Sequence, residues 1–123
     1  MSLILVVDDD DQVRATIVAA VTALGYQVAE AGSGAAAMAS LEASKVSLVI
    51  LDYSMPGRDG AAVARDIAEV DPDLPIIFST GHAALRALRT AAGDDVPILE
   101  KPFTLAELDQ LLAERLALRR AQA

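Results

Sequence analysis

The stretch Leu48-Val49-Ile50-Leu51-Asp52-Tyr53-Ser54-Met55-Pro56 decides how the rest of the chain is read. Four consecutive large aliphatic residues predict a strand buried on both faces, as a parallel sheet requires. The run stops at a carboxylate, and Pro56, Gly57 and Gly60 then predict a loop. In an open α/β sheet, ligands and chemistry sit just beyond the carboxyl ends of the strands, which is where Asp52 would stand. A lone Asp at a strand end is also an ordinary turn starter. A second apolar run, Leu3-Ile4-Leu5-Val6-Val7, changes that reading, because it too ends in acids: Asp8, Asp9, Asp10 and Asp11. Adjacent parallel strands would bring Asp8 and Asp9 close to Asp52. Three carboxylates in one cleft repel one another unless a cation or protons neutralise them, so the pattern predicts a metal site.

Composition narrows the field. A chain of 123 residues is one domain with a single core. Apolar residues make up 54% of it but aromatics only 3%, so Ala, Val, Leu and Ile must build that core. The absence of Cys excludes disulfides, thiol catalysis and thiolate metal ligands. No apolar run approaches membrane-spanning length, and the N-terminal run meets four acids rather than a signal-peptide pattern; a cytoplasmic protein without a membrane partner is expected. The net charge is −8, and the basic residues cluster only at Arg115, Arg119 and Arg120, which argues against direct nucleic-acid binding. Those three arginines suit the negative end of a C-terminal helix.

Apolar runs alternate with helix-period segments about five times, the pattern of a β-α repeat. Asp11 can cap a first helix with Val13, Ile17, Val21 and Leu24 on one face, ended by Gly25. Tyr26–Ala31 is a second strand, and Ser33 can cap a second helix to about Ala43, with Met38 and Leu41 as its larger apolar residues. Asp59 can cap a third helix with Val63, Ile67 and Val70 on one side, stopped near Asp71-Pro72. Leu74–Ser79 reads as a fourth strand ended by Thr80-Gly81, with Pro75 at its opening. A short helix from about Ala83 to Ala92 buries Leu85 and Leu88, and Gly93-Asp94-Asp95 breaks it. Pro97–Glu100 is the fifth strand. Thr104-Leu105-Ala106-Glu107 matches a capping box, with Leu105, Leu108, Leu112 and Leu116 continuing an amphipathic helix.

At the predicted carboxyl edge of the sheet stand Asp8, Asp9, Asp52, Thr80 and Lys101. Oxygen ligands of this kind suit a hard cation such as Mg²⁺, while the hydroxyl and the ammonium suit an anion bound beside it. A carboxylate acid-base pair would also use two acids, but leaves Thr80 and Lys101 unexplained.

In order and spacing, Leu5-Val6-Val7-Asp8-Asp9, Leu51 through Gly60, Ser79-Thr80-Gly81 and Glu100-Lys101-Pro102-Phe103 resemble the receiver domains of bacterial two-component response regulators. The similarity covers essentially the whole chain, read as a single receiver domain over 1–123 with no output domain. It implies a flavodoxin-like doubly wound α/β fold: a five-stranded parallel sheet of order 2-1-3-4-5 with helices on both faces, an order that receiver proteins themselves illustrate. It also implies that Asp52 is the phosphoacceptor, that Asp8, Asp9, Asp52 and the Ser54 backbone carbonyl hold Mg²⁺, and that Thr80 and Lys101 contact the phosphoryl group. Lys101-Pro102 is usually cis in the family. The implied partners are a sensor histidine kinase or phosphotransfer protein as donor, and a downstream effector protein or attached domain, with the chain a monomer or weak dimer. The protein would catalyse only its own phosphorylation and dephosphorylation.

One position departs from the pattern. Receivers often carry Tyr or Phe three residues before the lysine, where this chain has Ile98, which puts an aromatic switch in question. His82, the only histidine, reads either as a solvated imidazole at a helix start or as a group near the cleft mouth that tunes phosphoryl loss. Two other functions compete. Asp8-Asp9-Asp10 contains the D-x-D element of haloacid-dehalogenase-like phosphohydrolases, but Gln12 stands where Thr or Val is expected. A flavodoxin would need Ser, Thr and Gly around its phosphate, where this chain has four acids.

Overall fold

The computed structural model describes residues 2–55, 59–93 and 96–122. Five strands, β1 (Leu3–Val7), β2 (Gln27–Ala31), β3 (Leu48–Asp52), β4 (Ile76–Gly81) and β5 (Ile98–Lys101), alternate with five helices. The helices are α1 (Asp11–Ala23), α2 (Gly34–Ala43), α3 (Gly60–Val70), α4 (His82–Ala92) and α5 (Leu105–Gln122). All strand pairs are parallel, and the sheet order is β2-β1-β3-β4-β5, the order that the resemblance implies.

Alternation along the strands sorts the core into two layers. Leu5, Val7, Val49, Leu51 and Phe78 pack with Ala37, Val63, Ile67 and Leu88 from α2, α3 and α4. Ile4, Val6, Leu48, Ile50, Ile77 and Leu99 pack with Ile17, Val21, Leu108, Leu112 and Leu116 from α1 and α5. All five residues of β3 are buried, which explains why its sequence shows no polar alternation. At about 1.5–3 kcal/mol per fully buried aliphatic side chain, these two layers supply most of the drive to fold. The chain has only four aromatic residues, and two of them pair, Tyr53 edge-on to Phe78 with centroids 6.1 Å apart.

Local signals landed with a few displacements. Ser33 and Asp59 cap α2 and α3 as expected, each accepting a backbone amide hydrogen bond. Gly25 follows the C-cap of α1 with φ +95, a conformation that glycine adopts without strain. Thr104 accepts from the Glu107 amide and donates to the Glu107 carboxylate, a variant of the expected capping box. The cap of α1, however, is Asp10 rather than Asp11. Asp10 is extended, and its carboxylate accepts from the amides of Gln12 and Val13, while Asp11 is the first helical residue.

β4 starts and ends two residues later than its expected span, because β5 carries the ladder on through Thr80↔Glu100 and Gly81↔Lys101. Thr80 and Gly81 are therefore strand residues, not a terminator. Two apolar stripes end sooner than their periodicity. Val70, in the last turn of α3, is 60% exposed, and Leu105, at the start of α5, is 48% exposed. Leu85 is half-buried, and among the described side chains of α4 only Leu88 is fully buried in the core. Gly60, expected in a loop with Pro56 and Gly57, is instead the first residue of α3; Pro56, Gly57 and the break at Asp94-Asp95 lie outside the described residues, as do the side chains of His82, Arg119 and Arg120.

Candidate functional site

The sheet order reverses between β1 and β3, which opens a crevice at their carboxyl ends. Val7 pairs with Leu51, so the next residues, Asp8 and Asp52, leave the two strands side by side. Carboxylate oxygens of Asp8, Asp9 and Asp52 all lie within 4.8 Å of one another. Asp8 and Asp52 are buried, at 1% and 6% exposure, and Asp9 is at the surface. Lys101, at the end of β5, brings its Nζ to 3.5 Å from Asp8 Oδ2 and 3.7 Å from Asp52 Oδ1. Thr80 is buried on β4, one residue past Ser79, the register partner of Asp52, and its hydroxyl donates to the Gly81 carbonyl at 3.2 Å. The Ser54 side chain is exposed, while its amide donates to Asp52 Oδ1 at 3.3 Å. The structure thus gathers Asp8, Asp9, Asp52 and Lys101 in direct proximity, with Thr80 and Ser54 on the same edge. His82 begins α4 directly after this edge.

Electrostatics leave the cluster short of positive charge. Three carboxylates against one ammonium leave two negative charges uncompensated when all are ionised. The Asp52 pKa is raised from 3.8 to about 6, chiefly by burial and then by repulsion from Asp8, with Asp9 adding a little; Lys101 and the Ser54 amide pull it down. Asp8 Oδ1 accepts from the Asp10 amide at 2.9 Å, but Asp8 Oδ2 is buried with no hydrogen-bond partner among the described residues. A buried carboxylate oxygen with no hydrogen bond and only the Lys101 ammonium at 3.5 Å, beside two more carboxylates in an all-oxygen donor set, fits a hard divalent cation.

Two features of the site escaped the sequence reading. Gly60 is one: a Cβ there would stand 2.7 Å from the Tyr53 Cα and 2.9 Å from the Asp52 carbonyl oxygen. Glycine lets α3 close onto the strand end, where its amide donates to the Tyr53 carbonyl at 2.6 Å. The Asp59-Gly60 dipeptide signals a turn, but not this approach. The other is Arg14, whose guanidinium bonds to the Asp8 backbone carbonyl at 2.7 Å. Only its i, i+3 spacing from Asp11 was visible beforehand.

Fold and site together define a doubly wound α/β domain with a buried carboxylate cluster and a lysine at its switch point. The family model for the response regulator receiver domain matches residues 4–113. The response regulator receiver protein CpdR of Brucella abortus is 41% identical over 110 residues, covering 88% of this chain and 91% of CpdR. The C4-dicarboxylate transport transcriptional regulatory protein DctD of Rhizobium meliloti is 35% identical over 96% of this chain, which spans only 28% of DctD. Among solved structures, a response regulator receiver protein from Sinorhizobium medicae superposes with a TM-score of 0.83 at 34% identity, with 96% of each chain covered. The chain belongs to the response regulator receiver family of two-component signalling. That membership sets aside the haloacid-dehalogenase-like and flavodoxin readings. The family's Lys-Pro bond is cis here, at Lys101-Pro102. Among the described residues, no helix is long and apolar enough to cross a membrane.

Proposed function

We propose that this chain accepts a phosphoryl group on Asp52 from the phosphohistidine of a sensor histidine kinase or phosphotransfer protein. The observation that carries this reading is the convergence of Asp8, Asp9 and Asp52 within 4.8 Å, with the Lys101 ammonium within 3.7 Å of Asp52. An Asp52 carboxylate oxygen forms the new bond to phosphorus as the donor's P–N bond breaks, and the freed imidazole takes up a proton. Such a transfer has a loose transition state, so positioning and charge neutralisation do most of the work.

Asp8, Asp9, Asp52 and the Ser54 carbonyl would hold Mg²⁺, which when bound offsets the repulsion between an anionic nucleophile and an anionic phosphoryl group. Lys101 stabilises the equatorial oxygens and replaces its present carboxylate partners in part with them. Thr80 spends its hydroxyl hydrogen on the Gly81 carbonyl at 3.2 Å, a long bond that a phosphoryl oxygen can outcompete. Its reorientation draws on the strand that leads directly into α4, and so alters the surface offered to an effector protein or attached domain. Ile98, paired with Phe78 and packed against the α2–α3–α4 side of the core, offers no ring to rotate into space left by Thr80. The response therefore travels through the β4–α4 backbone. The protein turns over no external substrate beyond its own phosphorylation and dephosphorylation, and works in the cytoplasm as a monomer or weak dimer.

The test is incubation with Mg²⁺ and acetyl phosphate, followed by intact mass. One added phosphoryl group, labile to hydroxylamine and absent from Asp52→Asn, is expected. Equal labelling of Asp52→Asn would refute the assignment.

A further inference from the structure

Arg14 makes three side-chain bonds to three separate parts of the fold. Its Nη1 donates to the backbone carbonyl of Asp8 at 2.7 Å, its Nη2 to Asp11 Oδ1 at 2.7 Å, and its Nε to Glu30 Oε1 on β2 at 3.2 Å. The side chain is only 18% exposed despite its charge. The Asp8 carbonyl belongs to the peptide that joins Asp8 to Asp9, two members of the carboxylate cluster. Holding that oxygen fixes the plane of the peptide, and with it the directions in which both side chains leave the loop.

The rest of the loop is gripped from complementary sides. The Asp8 amide donates to the Ala31 carbonyl at 3.1 Å, the Asp10 amide to Asp8 Oδ1 at 2.9 Å, and the Arg14 amide to the Asp10 carbonyl at 2.9 Å. Gly32 lies beside the guanidinium, where a Cβ would meet Nη1 at 3.4 Å, an ordinary van der Waals contact. A planar fork donates to these three acceptors from three separate nitrogens in a fixed geometry; a lysine would have to meet all three at a single ammonium.

We propose that Arg14 is a positioning residue for the divalent-cation site: its guanidinium locks the Asp8–Asp9 peptide between β2 and α1 so that both carboxylates face Asp52 before the cation arrives. This rests on the metal reading given above, and it makes a prediction whose sign separates it from simple electrostatics. Arg14 is a cation, so deleting it leaves the region more negative, and Coulomb's law alone would tighten Mg²⁺ binding. Loss of a positioning group weakens it instead, by the 10- to 100-fold typical of residues that orient metal ligands.

Calorimetric titration with Mg²⁺ at constant ionic strength compares wild type, Arg14→Ala, Arg14→Lys and Ile17→Val, the last a buried control on the same helix. Weakening of about 10-fold or more in Arg14→Ala, an intermediate loss in Arg14→Lys and no change in Ile17→Val are expected. Metal-free amide hydrogen exchange should show the Asp10 amide losing protection in Arg14→Ala. Binding in Arg14→Ala equal to or tighter than wild type overturns the proposal, as does equal weakening in Ile17→Val or an unchanged Asp10 exchange rate. Wild type that fails to bind Mg²⁺ at all refutes the metal reading itself, and this assignment with it.

Discussion

Replacing Asp52 by Asn isolates what it costs to hold that carboxylate charged in the folded protein. Burial, with repulsion from Asp8 behind it, raises the Asp52 pKa from 3.8 to about 6. Because the folded value lies above the unfolded one, the folded protein binds this proton more tightly than the unfolded chain. Stability is therefore greatest below the unfolded value and falls as the pH rises through the window from about 4 to about 6. At about 1.4 kcal/mol per unit, ionised Asp52 costs the metal-free protein about 3 kcal/mol at neutral pH. Asp52 is 6% exposed, so solvent screens little of that cost.

The amide in Asp52→Asn is neutral at every pH and still accepts a hydrogen bond from Ser54. The metal-free variant is thus expected to gain about 3 kcal/mol over wild type at about pH 7.5, and about half of that at about pH 5. The larger figure corresponds to roughly 10 °C in Tm for a domain of this size. Urea and thermal melts in EDTA, followed by far-UV circular dichroism, measure both. The slope with pH is the decisive quantity, since any packing change made by the amide is independent of pH. A difference that stays flat over this range, or shrinks as the pH rises, refutes the idea that burial and Asp8 oppose ionisation at this site.

Mg²⁺ should reverse the cost: saturation at about 100 times the Kd is expected to stabilise wild type by about 2.7 kcal/mol, with Asp52→Asn gaining much less in the same melts. Gly60→Ala would push a methyl into the Asp52 and Tyr53 backbone at 2.7–2.9 Å, so a loss of about 1–3 kcal/mol in urea denaturation is expected, together with slower labelling by acetyl phosphate. Wild-type stability in that variant would mean α3 does not sit where it is described. Ser79 carries a buried hydroxyl with no partner among the described residues. Ser79→Ala should therefore be neutral or stabilising by up to about 1 kcal/mol, and a loss larger than that would reveal a partner for the hydroxyl.

What could be read from the chain alone, and what could not, follows from how far each signal reaches. A strand buried on both faces announces itself by an unbroken aliphatic run, so Leu48–Asp52 and Leu3–Val7 were legible, and their terminal acids with them. Where a strand stops depends on its neighbour. Thr80 and Gly81 look like a terminator in sequence, yet the ladder to Lys101 keeps them in β4. Helical periodicity likewise names a face but not where the covering layer ends, which is why Val70 and Leu105 surface. Arg14 shows the same limit in the site itself. Its spacing from Asp11 is a helix-local fact, whereas its bonds to Glu30 and to the Asp8 carbonyl exist only once β1, β2 and α1 are assembled. The carboxylates that face the cleft were written as strand ends. The groups that aim them belong to tertiary structure, and it is at those groups, rather than at the carboxylates, that substitution will separate holding the cation from merely being acidic.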